Sequence, residues 1–509
     1  MSINFIPNDP AAGPAAPAMG QKNPSPDRPS SGSGFSFSNQ SPEGVATPGT
    51  QQFLFWQARE AAISAVAAWE ACAGVSHKAW QGNRKKLPLL QDEGVDLNAF
   101  YDRQSLSFFH ETVGNRTFFS GISTDVVSHE TGHALLDSMR PDLFGVNLLE
   151  VGAFHEAFGD VIAILTGLGD IDIRRKLLAV APDLRTRNFV ESTAEELSMA
   201  IGLAIPGHNA AEPRHAFNHF KFQIPSTLPS NGGPGALINE VHSFGMIFTG
   251  CFWDLIANLF NASAAKDEAA LLAASRLAGK ILLEGVKGVV VRPRFIQSIG
   301  RAMTLADQNL NGGANREHIA DAFMRHDIML GSNAMMAPTM ALAGAAPKGA
   351  TLAAKARDDL KRRLGSVRGA KLSLSATDFF GVRAVHAVQT RSVQLGSVSS
   401  KLKGVVAMAH EPVIVGSSGN RAAVMGAVPN TAETEDEVKA FVEALVAHNR
   451  IGFGGKAKGA VAKRAFPEHV THVVKSVGGK KVLERVRFLC GCTGCRPGSG
   501  YSGEAITPR

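Results

Sequence analysis

Cysteine is scarce in this chain, and the spacing of its cysteines excludes a disulfide framework. Of the five cysteines, Cys72 and Cys251 stand far apart, and three lie in the segment CGCTGC at 490–495. Such a pattern indicates a reducing compartment rather than a disulfide-stabilised domain. The three clustered thiols could hold a soft metal ion if a fourth ligand such as His472 joined them, or they could form a free or oxidised tail.

Long apolar runs and a secretory signal are also missing. The chain has no stretch of about 18 apolar residues without charge, which a membrane span would need. No basic segment followed by an apolar one opens the sequence, so no signal peptide is visible. We therefore expect no membrane contact, and the location stays open between the cytoplasm and non-classical export.

Positive charge is concentrated in the rear third of the chain. Residues 340–509 contain 26 Lys and Arg against 12 Asp and Glu, a net charge of +14, whereas the preceding part has a net charge of −7. The basic residues are scattered and few aromatic residues lie among them. This pattern predicts a solvated basic surface rather than a nucleic-acid interface.

Composition and periodicity divide the chain into segments. Residues 1–50 are dominated by Pro, Gly, Ser and Ala, which predicts a disordered tail. Residues 52–331 predict the main domain: apolar residues recur at helical spacing over 53–75 and through most of the second half, and 98–119 suggests two strands. The other segments are predicted to be a linker at 332–356, a smaller basic α+β domain at 357–489 and a Cys-containing tail at 490–509.

The segment SHETGHALLD has the spacing of a metal site on a helix. His129 and His133 are i and i+4, so their rings project from one face one turn apart and can share an ion. Zinc is bound in catalytic sites by three protein ligands and a water molecule. Glu130, next to the first histidine, is placed to act on that water.

A second helical segment, GAFHEAFGD, offers the missing ligand. Glu156 is a candidate third ligand, and Asp160, one turn further on, could accept the free ring N–H of His129. A carboxylate in that position fixes the tautomer of a metal-binding histidine and raises its basicity. The five-residue motif alone could arise by chance as a core histidine beside a surface glutamate, but its combination with the second segment favours a metal site.

These motifs and their order resemble the thermolysin family of zinc metallopeptidases, the gluzincins, whose third ligand is a glutamate. The resemblance rests on NAFYDRQSLSFF, SGISTDVVSHETGHALLD, GAFHEAFGD and VHSFGMIF and covers about residues 52–331. It implies a catalytic domain of mixed β-structure and helices followed by a helical half. With the smaller C-terminal α+β domain, the predicted fold class is α+β.

The resemblance implies a role for each matching residue at the metal. His129, His133 and Glu156 would bind zinc, Glu130 would be the general base, and Asp160 would hold His129. Calcium is left open, because most of the family's acidic calcium ligands are not recognisable, and Asp125, which occupies one such position, is also explained as a helix-cap residue.

Further residues are implied to contact the substrate. His242, in VHSFG, resembles the histidine that hydrogen-bonds the oxyanion. Arg214 precedes His242 in the sequence by about as many residues as the family's carbonyl-binding arginine precedes that histidine. Asn98 and Ala99 match the edge strand on which the family places the substrate backbone. An ordinary surface arginine and a plain strand end remain open for Arg214 and for Asn98 and Ala99.

The scarcity of tyrosine separates this chain from the family pattern. Its only tyrosines are Tyr101 and Tyr501, and the stretch where the family has an oxyanion-binding tyrosine contains Phe144 instead. Loss of one such donor usually lowers the rate by about 10²–10³.

Two functions are consistent with these observations. The first is a zinc-dependent endopeptidase that hydrolyses peptide or protein substrates through metal-activated water, with Glu130 as general base. The alternative is a weakly active or inactive relative that binds metal or a partner and lacks the oxyanion tyrosine. In either case the C-terminal domain, whose charge is opposite to that of the front part, is a candidate intramolecular regulator of the cleft.

Overall fold

The structure is a computed structural model, and it describes residues 2–331, 352–365, 371–379, 382–418, 421–425, 429–453 and 469–491. It combines helices with mixed sheets, which confirms the predicted α+β class. The predicted linker at 332–356 lies mostly outside the described residues, and its last part already belongs to a helix.

Helices make up most of the front part. Residues 2–331 contain the helices α1 (Gln51–Ala73), α2 (Thr124–Met139), α3 (Leu149–Gly169), α4 (Ile171–Val180), α5 (Glu195–Ala204), α6 (Val241–Ala262), α7 (Glu268–Gly288), α8 (Phe295–Asn311) and α9 (Arg316–Met324). The predicted first helix is confirmed: Thr50 caps its start by accepting a hydrogen bond from the N–H of Phe53, and Gly74 ends it in the left-handed region.

Short strands precede and connect these helices. The strands of this part are β1 (Ile3–Phe5), β2 (Gly20–Lys22), β3 (Gly34–Phe37), β4 (Lys86–Leu90), β5 (Ala99–Tyr101), β6 (Leu106–Phe108), β7 (His110–Val113), β8 (Arg116–Phe119), β9 (Ser192–Thr193) and β10 (Arg214–His215). The segment 98–119, predicted as two strands, forms four, because turns at Asp102 and Gly114 and a break at Phe109 divide it. A five-stranded sheet has the order β18-β5-β6-β4-β3, in which β18 (Phe488–Leu489) comes from the end of the described chain.

The N-terminal segment corrects one prediction. Residues 2–50 are not a disordered tail: β1 pairs with β2, and β3 pairs with β4 in the main sheet. Ile3 and Phe35 are buried, and the Gln57 side chain accepts from the N–H of Ile6 and donates to its carbonyl. A few anchoring side chains and backbone hydrogen bonds therefore hold a segment whose average composition resembles that of a flexible chain.

The rear part forms a second sheet with two helices. Its elements are α10 (Ala354–Arg363), α11 (Thr431–Ala447), β11 (Lys371–Phe379), β12 (Val382–Gln394), β13 (Val405–Ser418), β14 (Arg421–Met425), β15 (Ile451–Gly452), β16 (His472–Val477) and β17 (Lys480–Arg485). The path is β11-β12-β13-β17-β16-β15, and β14 pairs with β13. β16 and β17 form a hairpin that turns at Gly478 and Gly479, and both residues have the positive φ that a tight hairpin requires.

Two glycines let the helices that carry the motifs approach closely. A Cβ added at Gly132 in α2 would lie 2.8 Å from the Cα of Gly159 in α3. A Cβ at Gly245 in α6 would lie 2.8 Å from the carbonyl oxygen of Ala153, also in α3. Glycine inside a helix costs about 1 kcal/mol relative to alanine, so its presence here is explained by the space these crossings need.

Two of these helices are also long and apolar enough to cross a membrane. They are Leu149–Gly169 and Val241–Ala262, and in each the apolar window is 94% buried inside the protein. Burial of this kind is what a core helix of a folded domain shows, so the two helices are weak evidence for a membrane span.

Candidate metal centre

The first histidine pair lies on α2, deep in the protein. Ser123 caps the helix by accepting a hydrogen bond from the N–H of Val126. One turn later His129, Glu130 and His133 follow, all fully buried, with their ligand atoms within 4.8 Å of one another. The sequence motif therefore forms a real cluster that could hold a metal ion.

Glu156 on α3 completes a set of three ligands. Its Oε2 lies 3.3 Å from the Nε2 of His129 and 3.5 Å from the Nε2 of His133. A tetrahedral zinc with bonds of about 2.0–2.1 Å separates its ligands by about 3.3 Å, so these distances fit the ion. Within the described part of the chain, none of these three atoms has a hydrogen-bond partner. Such unpaired buried atoms are costly unless something binds them.

Asp160 and Arg214 hold the first histidine in place. Nδ1 of His129 donates to Oδ1 of Asp160 at 2.7 Å, which leaves Nε2 free to bind a metal. Nε and Nη2 of Arg214 donate to the same carboxylate at 3.0 and 2.8 Å. Although burial raises it, Arg214 and His129 lower the pKa of Asp160 to about 2. Asp160 is therefore ionised, and Arg214 lies at the site.

His155 is a site residue that the sequence reasoning missed. Its Nδ1 lies 2.9 Å from the Nδ1 of His133, so one ring donates and the other accepts. Burial and the neighbouring His133 lower the pKa of His155 well below its usual value, so the ring is neutral. The sequence places His155 directly before Glu156. Adjacent residues of a helix point in different directions, so this position does not indicate a site residue until the orientation of α3 is known.

Glu130 faces the site without a partner. Neither carboxylate oxygen has a hydrogen-bond partner among the described residues. Burial, partly opposed by the charge of His129, raises the pKa of Glu130 to about 8. A carboxyl group with a pKa near neutrality can both take up and release a proton.

His242 lies in the first turn of α6, next to Glu156. Its Nδ1 donates to Glu240 at 2.8 Å, and its Nε2 lies 3.2 Å from Oε2 of Glu156. Although burial lowers it, the carboxylates of Glu156 and Glu240 raise the pKa of His242 to about 10. A protonated ring at this point can donate to an oxygen near the metal ligands.

No phenol takes the place of the missing tyrosine in the described part of the site. The Tyr101 hydroxyl donates to Oδ2 of Asp137 at 2.9 Å and is buried there, and Tyr501 lies outside the described residues. Arg485 of β17 contributes a buried charge instead, and its Nε and Nη2 lack hydrogen-bond partners among the described residues. It lines a small cavity of about 30 Å³ together with Glu156 and His242.

The end of the described chain lies in the cleft, so the predicted tail at 490–509 does not begin at 490; residues 492–509 lie outside the described residues. β18 pairs with β5, the N–H of Cys490 donates to the carbonyl of Ala99 at 2.9 Å, and the N–H of Gly491 donates to Oδ1 of Asn98 at 3.1 Å. Asn98 and Ala99 thus bind the backbone of another segment of this chain, and their contact with a substrate stays a prediction. The physical reason is the free edge of β5, which an extended segment completes.

The predicted thiol cluster is only partly described. Sγ of Cys490 lies 3.7 Å from Nη2 of Arg214, inside the cleft, while Cys492 and Cys495 lie outside the described residues. Among the residues that the structure describes, the groups that could hold a metal include neither Cys490 nor His472.

We expect Gly159→Ala to weaken zinc binding by at least about 10-fold. This is the lower end of the loss of metal affinity that is usual when a hydrogen bond to a metal ligand is removed. The new Cβ would lie 2.6 Å from Nδ1 of His129 and force that ring away from Asp160. Competition with a chromophoric chelator measures the affinity. Gly167→Ala in the same helix is the control, because its Cβ meets no atom closer than 3.9 Å. Equal zinc affinity of the two variants would contradict the expectation.

Comparison with known protein families supports the metallopeptidase resemblance. Residues 227–334 match the model of the fungalysin metallopeptidase family (M36), a family of thermolysin-like zinc metallopeptidases. The match includes α6 with His242 and the helices that follow it. No curated protein matches the chain. The predicted resemblance to thermolysin-like zinc metallopeptidases is thereby confirmed over residues 227–334.

Proposed function

We propose that this protein is a zinc-dependent endopeptidase in which His129, His133 and Glu156 bind the metal and Glu130 is the general base. The observation that carries the proposal is the spacing of the three ligand atoms, 3.3 and 3.5 Å from Oε2 of Glu156 to the two histidine nitrogens. Ordinary helix packing does not bring three unpaired buried polar atoms to tetrahedral spacing.

The residues around the ligands supply proton transfer and charge stabilisation. When bound, zinc supplies a Lewis acid that activates water and polarises a carbonyl. Glu130 would take the proton of the attacking water and pass it to the leaving amine. His242, held by Glu240, would donate from Nε2 to the carbonyl oxygen as negative charge develops on it. Asp160 and Arg214 hold His129 in the orientation that binds metal.

The missing phenol supports the alternative of a weakly active relative that binds metal or a partner. Without that donor, His242 and the buried charge of Arg485 remain to stabilise the oxyanion. The base and all three ligands are nevertheless present and brought together, and this favours the enzyme.

The rear domain is proposed to regulate access to the site. Phe441 and Leu445 of α11 and Arg485 of β17 line the cavity beside His242, so this domain forms one wall of the cleft. A substrate that approaches His242 from this side would meet both parts of the chain.

The test is the zinc content of the purified full chain together with hydrolysis of a quenched fluorescent peptide library. We expect about one zinc per chain, loss of hydrolysis with 1,10-phenanthroline, and recovery when zinc is added back. Bound zinc without any hydrolysis, of the library or of the chain itself, would favour the alternative. Absence of zinc binding would overturn both.

A second cation site is proposed where Asp9, Asp125 and Glu195 meet. Their carboxylates lie within 4.8 Å of one another, and Oδ2 of Asp9 and Oε2 of Glu195 have no hydrogen-bond partner among the described residues. Burial and the charge of Asp125 raise the pKa of both Asp9 and Glu195. A set made only of carboxylates suits a hard cation such as calcium.

We therefore expect calcium at about 100 times its Kd to raise the Tm by about 3–8 °C, because a ligand of the folded state stabilises it by mass action. Scanning calorimetry with and without calcium measures the shift. Asp9→Asn should remove it while keeping the Oδ1 acceptor for the N–H groups of Ala11 and Glu196. An equal shift in this variant, or an equal effect of magnesium, would contradict a calcium site.

A further inference from the structure

We infer that this chain presents its own Leu489–Cys490 peptide bond to the metal centre as a substrate and cuts it. The inference rests on the proposed peptidase function and adds a specific bond. It is carried by the backbone contacts of residues 488–491, which lie in the cleft as an extended strand.

The segment is held in the manner of a bound peptide. Phe488 and Leu489 pair antiparallel with Tyr101 and Phe100 of β5. Beyond the strand, the N–H groups of the next two residues continue the pattern by donating to the carbonyl of Ala99 and to the side chain of Asn98. Addition of a strand to a free sheet edge is a common mode of peptide recognition, in which main-chain hydrogen bonds hold the peptide.

One carbonyl of this segment points at the catalytic groups. Nε2 of His242 donates to the carbonyl oxygen of Leu489 at 2.5 Å, and the same nitrogen lies 3.2 Å from Oε2 of Glu156. The carbonyl of Leu489 is therefore beside the predicted metal ligands and receives the hydrogen bond that stabilises an oxyanion. The bond that follows this carbonyl is Leu489–Cys490, and the contacts on both sides fix its position.

The side chains of the segment also fit the cleft. The Phe488 ring stacks on His155 with centroids 3.9 Å apart and on His133 at 4.8 Å. Leu489 is buried and borders the cavity next to His242, and Cys490 is buried against Arg214.

At Gly491 the segment lies so close to the wall of the cleft that a side chain would not fit. A Cβ there would lie 2.2 Å from the carbonyl oxygen of Leu97 and 3.0 Å from the Cα of Asn98. Both are backbone atoms and cannot move aside cheaply. Its φ is not in the left-handed region, so space rather than backbone conformation accounts for the glycine.

The reaction is hydrolysis of one peptide bond by one water molecule. The water oxygen bonds to the carbonyl carbon of Leu489 while Glu130 takes one water proton. The carbon–nitrogen bond then breaks, and the proton passes from Glu130 to the nitrogen of Cys490. The second water proton leaves the new carboxyl group and is taken up by the amine, so the products are a carboxylate at Leu489 and an ammonium group at Cys490, with no oxidation or reduction.

The experiment follows the intact mass of the full chain after zinc is added to chelator-treated protein. We expect a product that ends at Leu489 and a new N-terminus at Cys490, with a first-order rate that does not depend on protein concentration. Glu130→Gln should stay intact. Gly491→Ala should be cut at least about 10-fold more slowly, because the segment no longer fits, while Gly145→Ala, whose Cβ meets nothing within 4 Å, should be cut normally.

Hydrolysis of the peptide library by the same samples separates this inference from the proposed function. Gly491→Ala should hydrolyse the library at least as fast as the unchanged chain, because its cleft is less occupied. Library hydrolysis without a cut at Leu489–Cys490 would overturn the inference and leave the peptidase in place. Library hydrolysis by Gly491→Ala alone, with the unchanged chain uncut, would do the same, because the segment would then only block the cleft. Loss of both activities in every sample would remove the peptidase itself.

Discussion

Replacing Glu130 with glutamine is expected to lower kcat for peptide hydrolysis by at least about 10²–10⁴, the usual contribution of a general base. The amide keeps the shape of the side chain but cannot accept the water proton. Zinc should stay bound, because the three proposed ligands are unchanged, and KM should change little. Steady-state kinetics on a fluorogenic peptide, with zinc content measured on the same sample, check this expectation.

The zinc content of the Glu130→Gln variant serves as its control. If Glu130→Gln retains zinc and loses activity, the defect lies in proton transfer rather than in folding or metal binding. Activity within tenfold of the unchanged chain would show that another group accepts the proton and that the assignment of Glu130 is wrong.

Glu156→Gln is expected to lower zinc affinity by more than about 10–100-fold. That range is the usual loss when a residue that hydrogen-bonds a metal ligand is removed, whereas Glu156 is proposed to be a ligand itself. The substitution preserves side-chain volume in a fully buried position but removes the only negative charge among the three proposed ligands. Although burial raises it, the neighbouring His242 and His133 hold the pKa of Glu156 well below its usual value, so the ligand is ionised.

Asp160→Asn is the matched comparison for this second variant. Asp160 lies on the same helix and touches His129 rather than the metal, so its loss should fall inside the 10–100-fold range. Chelator competition ranks the two affinities. If Asp160→Asn weakened zinc binding more than Glu156→Gln, the roles of the two carboxylates would have to be exchanged.

Much of the metal site could be predicted because its spacing is local. His129 and His133 are one helical turn apart, and Glu156 and Asp160 repeat that spacing in the next helix. Helical periodicity alone puts each pair on one face. That the two faces meet depends on the contact between Gly132 and Gly159, which no local pattern indicates.

The errors came from contacts between residues far apart in the chain. The N-terminal segment was predicted to be disordered from average composition, yet single residues such as Ile3 are buried against α1. Arg485 reaches the cleft from a hairpin whose own sequence shows only a surface turn. His155 was overlooked because its role depends on which way α3 is rotated. Tertiary packing decides such cases, and a sequence without related sequences carries little information about it.

The hydrogen bond between Gly491 and Asn98 joins residues 393 positions apart. Cutting at Leu489–Cys490 would therefore require that the first sheet, the helical half and the rear domain have all formed. A copy that had folded incompletely would keep its terminal segment. The cut would thus act as a record of completed assembly, made once by each molecule on itself and readable as a mass difference.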